Sequence, residues 1–229
     1  MNLSVVITVL NEEKSILPLV QEIRSLISPL GLQWELVFVD DGSSDGSAEA
    51  IRSACEGLSM QLVQFEKNRG KSAALCAGFE KAQGEIILTM DADLQNDPQD
   101  AVSFMTKINE GYDFVNGWRQ ERRDSFHRKI MSSVSNSLIS LVTGVQSRDL
   151  GCGFKAYRRH VAKGLRLFRG GHRFIHVIVQ RNGFRMAEMP VHHRPRVFGH
   201  SKYRMRFFEV LRGLIKIQRR DPKKLWVPA

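Results

Sequence analysis

An apolar run, Glu85–Met90, ends in Asp91-Ala92-Asp93-Leu94-Gln95. Two carboxylates two residues apart at a strand end can point the same way, because side chains alternate with period two. Gln95 extends the series by another two. Hard oxygen donors of this kind suit Mg²⁺ or Mn²⁺, cations that keep waters and are bound through one or two carboxylates together with substrate phosphates. A D-x-D pair is common in isolation, and its weight comes from standing after a strand. A second acidic pair, Asp40-Asp41, also follows a β-branched run and leads into Gly42-Ser43-Ser44-Asp45. A carboxylate there can accept from a base N–H or a ribose hydroxyl. It can also cap the next helix, although Ser44 or Asp45 would do that unaided.

These residues sit at repeated places in the chain. Residues 1–117 alternate between short β-branched runs (Leu3–Leu10, Trp34–Val39, Gln61–Phe65, Glu85–Met90, Asp113–Asn116) and amphipathic stretches (Glu13–Ile27, Ser47–Cys55, Ser72–Ala82, Pro98–Asn109). The last stretch carries a start signal, with Asp97 as N-cap and Pro98 at the first helical position. Such alternation predicts an α/β fold with a mainly parallel sheet flanked by helices, whose ligands bind outside the carboxyl ends of the strands. At those ends stand Leu10-Asn11-Glu12, Asp40-Asp41, Asn68-Arg69-Gly70-Lys71 and Asp91-x-Asp93. Neither G-x-G-x-x-G nor a P-loop pattern is present. Beyond residue 117 the spacing predicts helices over Phe126–Val142, Arg173–Arg181 and Tyr203–Arg219, a Gly-rich turn or strand over Asp149–Tyr157, and a strand over Phe184–Val191.

The chain of 229 residues, 42% hydrophobic, suffices for one sizeable core and is short for two, so a single domain is expected. Its charge is divided. Residues 1–114 hold 8 Lys and Arg against 18 Asp and Glu, a net of −10; residues 115–229 hold 26 against 6, a net of +20. An acidic half suits a metal, and a basic half suits phosphate, nucleic acid or an anionic membrane surface. No helix-turn-helix, zinc or aromatic-basic sheet motif supports nucleic acid. Three widely spaced cysteines, Cys55, Cys76 and Cys152, read as reduced thiols of a cytoplasmic protein. The start lacks the basic region of a signal peptide. The longest uncharged stretch, Ile130–Ser147, carries six serines and is rejected as a membrane span.

Taken together, Val5–Glu13, Val39–Ser47, Asn68–Gly78 and Met90–Gln95 resemble the inverting glycosyltransferase family 2 with its GT-A fold. Gly117-Trp118-Arg119, Arg128 with Ser132, Asp149–Lys155, His172–Ile175 and Arg194–Tyr203 are similar to the polyprenyl-phosphate sugar transferases, dolichyl-phosphate mannosyltransferases among them. Thr8 and His176 stand where many relatives have Pro. The resemblance implies that Asp91, Asp93 and Gln95 hold a divalent metal on the donor diphosphate. It implies that Leu10, Asn11, Glu12, Asp41, Lys71 and Asp91 surround the nucleotide. Arg119, Arg128, Ser132, Arg196 and Lys202 would act with Asp93 in catalysis, holding the donor and acceptor phosphates. The expected reaction is inverting transfer from GDP-mannose or a UDP-sugar to a polyprenyl phosphate. A sugar hydroxyl is the alternative acceptor.

The chemistry of that reaction agrees with the charge division. A lipid phosphate is already anionic and needs no general base, whereas a hydroxyl acceptor does. It needs cations to bring two anions together, and arginine forks serve phosphate best. On this reading residues 1–117 form the donor half and 118–202 the acceptor half. Residues 203–229 form a basic amphipathic segment. Its apolar side (Phe207, Phe208, Val210, Leu211, Leu214, Ile215, Ile217) and basic side (Arg206, Arg212, Lys216, Arg219, Arg220) suit the interface of an anionic bilayer, or a helix packed on the core. A peripheral position on the cytoplasmic membrane face follows. Asp149 is open between orienting a basic side chain, lying near the sugar, and shaping the turn before Gly151.

Overall fold

The computed structural model describes residues 2–120, 137–198, 207–219 and 224–228. Within them lie β1 (Leu3–Val9), α1 (Glu13–Ile27), β2 (Trp34–Asp40), α2 (Ser47–Ala54), β3 (Met60–Gln64), α3 (Lys71–Lys81), β4 (Ile86–Asp91), α4 (Asp100–Asn109) and β5 (Phe114–Arg119). After these come a helical stretch α5 (residues 137–143), β6 (Lys155–Arg158), α6 (Arg159–Gly164), α7 (Ile175–Arg181), β7 (Met186–Val191) and α8 (Phe207–Arg219). The strands form one sheet in the order β3-β2-β1-β4-β6-β5-β7. Only β6 runs antiparallel to its neighbours, β4 and β5. The sheet is therefore mainly parallel, as the strand-helix alternation requires.

Register sets the chemistry. Thr8 pairs with Asp91 and Val9 with Asp40, so β1, β2 and β4 end level with one another on one edge. Both faces of the sheet are covered, which is why the strands read as continuous apolar runs. Val5, Ile7, Phe38 and Leu88 pack beneath α1 and α4; Val6, Val37, Ile87 and Tyr157 pack beneath α3, α6, α7 and α8.

Several expectations change at helix ends, and the helix expected over Arg173–Arg181 starts at Ile175, behind a 3-10 turn over Gly171–Phe174. Helix α4 starts at Asp100, not Pro98, because Asp97 is used in a tight turn: its Oδ1 accepts from the Gln99 N–H at 3.0 Å and its carbonyl from the Asp100 N–H. Of the helix expected over Phe126–Val142, the described part is helical and runs to residue 143.

Helix α8 turns its apolar stripe inward. Val210, Leu214 and Ile217 are buried in the core, and Gly213 lies on the ring of the buried Phe174. The side left to solvent carries Arg212, Lys216 and Arg219, with Ile215 exposed among them. Of the two expectations for this segment, the structure realises the core-packed one. Among the described residues no helix is long and apolar enough to cross a membrane.

A Cβ at Gly213 would stand 2.5 Å from Phe174 Cε2 and 2.8 Å from Cζ, atoms of a ring with no room to retreat. Overpacking costs roughly 1–3 kcal/mol, offset by up to about 1 kcal/mol of helix propensity. Gly213→Ala is therefore expected to lower Tm by roughly 2–8 °C, measured by circular dichroism. An unchanged Tm would mean that α8 is not docked on Phe174.

Candidate active site

The acidic series at the end of β4 is only partly open to water. Asp91, the last residue of the strand, accepts on Oδ1 from Lys71 Nζ at 2.5 Å and from Thr8 Oγ1 at 3.1 Å. Burial pushes its carboxyl up, but Lys71, Thr8 and the nearby Arg119 outweigh this and hold it below the usual carboxylate range. Beyond it Leu94 takes a left-handed φ of 61° and buries its side chain, which turns the chain back so that the Gln95 N–H reaches Asp93 Oδ1 at 3.2 Å. Asp93 Oδ2 accepts from Arg196 Nη2 at 2.5 Å. Burial and the neighbouring Asp91 charge nevertheless push the Asp93 carboxyl up to about 6, against the pull of Arg196. Gln95 directs its amide nitrogen at the Arg194 carbonyl, 3.4 Å away, and at His193.

The residues after β1 and β2 build one wall. Asn11, at a left-handed φ of 52°, donates its N–H to Ser43 Oγ at 2.8 Å and accepts on Oδ1 from the Ser44 N–H at 2.7 Å. The half-buried Leu10 precedes it. The Glu12 N–H donates to Ser47 Oγ at 2.9 Å. Asp41 engages both oxygens with the loop ahead of α3, accepting from the N–H groups of Arg69 (2.7 Å) and Gly70 (3.0 Å) and from Asn68 Nδ2 (3.1 Å). Burial raises its carboxyl while those N–H bonds pull it down. Gly42 is required where it stands: its φ is 76°, and a Cβ would meet the Lys67 backbone at 2.5 Å.

The basic half supplies the opposite wall. Arg119, at the end of β5, makes a two-pronged contact with Asp149, Nε to Oδ2 at 2.7 Å and Nη2 to Oδ1 at 3.1 Å. Asp149 is buried and also accepts from the Gly151 N–H at 3.0 Å. Two of its expected roles, orienting a base and shaping the turn, are thus met together. The segment after β7 is strapped over the site. Arg194 bonds Glu22 (2.7 Å) and Asp97 (2.9 Å), and Arg196 bonds Glu12 (2.9 Å) as well as Asp93. Arg128, Ser132 and Lys202 lie outside the described residues. The others assigned from sequence converge on the one sheet edge.

Three contributors were not singled out by the sequence. Gly153 brings β6 against Asp91, since a Cβ there would lie 2.5 Å from Asp91 Oδ2 and 3.1 Å from Lys71 Nζ. Lys155 is buried and bonded to Asn116 Oδ1, and burial lowers its pKa. His172 Nδ1 lies in hydrogen-bond contact with Ser72 Oγ at 3.0 Å, and burial together with the cations Lys71, Arg173 and Lys155 pushes its pKa well down. The D-L-G-C-G-F-K and H-R-F-I runs contain all three, yet only the antiparallel placement of β6 and the fold of the turn after α6 tell which members face the site.

The residues fit a hard divalent cation. Asp91 and Asp93 offer carboxylate oxygens on one edge, and the space over Asp91 Oδ2 is kept clear by a glycine. No group of three or more His, Cys, Asp or Glu suited to a metal exists among the described residues. Two carboxylates are what Mg²⁺ or Mn²⁺ uses when phosphates and waters complete the shell.

The position of Asp93 gives a pH signature. Its folded-state carboxyl is raised from 3.8 to about 6, so its contribution to stability is present at low pH and lost as pH rises through about 6. In EDTA, Asp93→Asn is expected to be more stable than the parent above pH 7 by roughly 1–3 kcal/mol, with the gap closing below pH 4. Thermal melts across pH test this, and a variant less stable at pH 8 would overturn the assignment.

Residues 4–166 match the family model described as Glycosyl transferase family 2. Among solved structures the fold is similar to glucosyl-3-phosphoglycerate synthase from Mycobacterium tuberculosis. A complex of that enzyme with Mn²⁺, UDP and phosphoglyceric acid aligns at a TM-score of 0.67 and 20% identity, covering 85% of this chain and 71% of that one. A complex with Mg²⁺ and UDP aligns at 0.64 and 20%, covering 85% and 72%. A further structure of the enzyme aligns at 0.66 and 19%, covering 95% and 78%. With strand ends, acidic pair and basic wall arranged as above, the chain belongs to glycosyltransferase family 2.

Proposed function

We propose that this family 2 glycosyltransferase moves a sugar from a nucleoside-diphosphate sugar to the phosphate of a polyprenyl lipid, with inversion and with a divalent metal. The observation that carries the acceptor class is the state of Asp149. A hydroxyl acceptor needs a base, and Asp149 is a carboxylate beyond the D-x-D pair that could serve as one. It is buried and engaged by two nitrogens of Arg119. A carboxylate so held is a poor proton acceptor, because protonating it would leave a guanidinium facing a neutral group. A phosphate nucleophile arrives deprotonated and asks instead for cations.

The donor side follows from the same edge. Asn11, Glu12 and the Asp41-braced loop form a polar wall suited to a nucleoside, and Lys71 stands between that wall and the D-x-D pair. Asp91, Asp93 and Gln95 would hold the metal. When bound, it neutralises the diphosphate and so eases departure of the nucleoside diphosphate. The Mn²⁺, Mg²⁺ and UDP in the neighbouring structures support a cation and a UDP-type donor here. Arg119, fixed by Asp149, and Arg196, on its strap, then present guanidinium forks to the phosphates of donor and acceptor. Residues 1–117 serve the donor and 118–202 the acceptor. The exposed basic side of α8 supports an electrostatic rather than an apolar attachment to an anionic leaflet, in keeping with a proposed position at the cytoplasmic face of the membrane.

Transfer of label from a panel of UDP- and GDP-sugars to undecaprenyl phosphate tests this, with phosphoglyceric acid and a simple glycoside as rival acceptors. Metal-dependent, mild-acid-labile labelled lipid is expected from one donor, lost with EDTA. Asp149→Asn is expected to lower kcat/KM at least about a hundredfold, because Arg119 loses its orientation. Label appearing only on a hydroxyl acceptor would replace the lipid-phosphate reading.

A further inference from the structure

Arg196 occupies an unusual position for a phosphate ligand. Its guanidinium bridges Glu12 Oε1 (2.9 Å) and Asp93 Oδ2 (2.5 Å), joining the nucleotide wall to the D-x-D pair. All three side chains are largely buried, at 19%, 10% and 13% exposure. Two carboxylates, Asp91 and Asp93, stand together, and each has a cation on one oxygen, Lys71 and Arg196 respectively. Largely buried like charges are costly unless paired, and these cations supply the compensating charge that a metal ion would also supply.

The arginine is also placed from outside the site. The segment that carries it is tied down at successive residues. The His192 N–H and Nδ1 meet the two oxygens of Asp100 at 2.8 Å each, and His193 forms a bridge with Asn96. The Arg194 N–H donates to the Gln95 carbonyl at 2.9 Å, and the Arg194 guanidinium spans Glu22 of α1 and Asp97 of the acidic loop. The strap is thus registered on the D-x-D loop itself, one residue pair after another. The sequence offers Arg194 only as a member of the Arg-Pro-Arg run.

We infer that Arg196 is a counter-cation of the Asp93 metal ligand, exchanged for the divalent ion when it binds, and that Arg194 is the positioning residue that holds it there. This rests on the metal reading above. On binding, the ion takes Asp93 from Arg196, and the freed guanidinium, kept nearby by the Arg194 tether, becomes available to phosphate. Metal loading and the arming of a phosphate ligand are then one event.

The full-length chain is titrated with Mn²⁺ alone, without nucleotide, by calorimetry and by loss of the free Mn²⁺ paramagnetic resonance signal. Arg196→Ala is expected to bind Mn²⁺ on the order of tenfold more tightly than the parent, because no partly buried ion pair has to be broken first. Arg196→Lys keeps the charge without the two-carboxylate fork and is expected to fall between. Arg194→Ala, which loosens the strap, also tightens binding, by less than Arg196→Ala. Arg212→Ala makes the same charge change on α8 and leaves the affinity unchanged; circular dichroism checks that each variant is folded. Mn²⁺ binding that is unchanged or weakened in Arg196→Ala overturns the exchange, as does equal tightening by Arg212→Ala. Parent protein that takes up no Mn²⁺, either alone or with UDP, would instead remove the metal reading on which the exchange stands.

Discussion

Two aspartates side by side at a strand end are the constraint to which the rest of the site answers. Asp91 and Asp93 repel one another and lose hydration together, and Asp93 rises to about 6 in consequence. The fold compensates with cations drawn from distant places. Lys71 comes from the start of α3, Arg196 from beyond β7, and Arg119 lends its field from the end of β5. Each cation needs its own support, which is why Asp149 and the strap contacts exist. The uneven charge of the two halves is the sequence-level trace of this arrangement. Glu12, Glu22, Asp93 and Asp97 of the acidic half take Arg194 and Arg196 from the basic half, while Lys71–Asp91 and Arg119–Asp149 pair within a half.

The same logic explains the glycines that matter. Gly153 lies where β6 passes over Asp91, and Gly42 lies where the acidic turn after β2 meets the Lys67 backbone. In both places main chain must approach main chain or carboxylate more closely than a Cβ permits. Thr8 puts its hydroxyl to use on Asp91.

Much of the donor half was legible from sequence because period and punctuation agree there. Glu13–Ile27 was read to the residue as α1, and five strands were placed within a residue or two except for the far end of β5, which extends to Arg119 rather than stopping at Asn116. The D-x-D and Asp-Asp pairs stood at strand ends, so their convergence followed from topology. Partners were not legible. Nothing local in the chain says that Lys71 faces Asp91, that Asp41 braces residues 68–70, or that Arg194 spans Glu22 and Asp97. These contacts arise from pairing across long separations. Asp97 shows the limit most simply, since a good N-cap by type became a turn former one residue pair upstream of the helix. The amphipathic pattern of α8 was read correctly, but amphipathicity cannot say whether lipid or protein covers the apolar side. The burial of Val210, Leu214 and Ile217 answers that.

The antiparallel strand β6 sits between β4 and β5, two strands that precede it in the chain. The acidic and basic halves are therefore woven into one sheet, and Glu12 meets Arg196 across 184 positions. A ribosome releases these in order. The acidic edge emerges early, while the residues that close β6 into its slot and lay the strap across the D-x-D loop emerge late. Such non-local pairing slows folding. It also means that Glu12 and Asp93, made early, wait for Arg196, made late, before they share a cation.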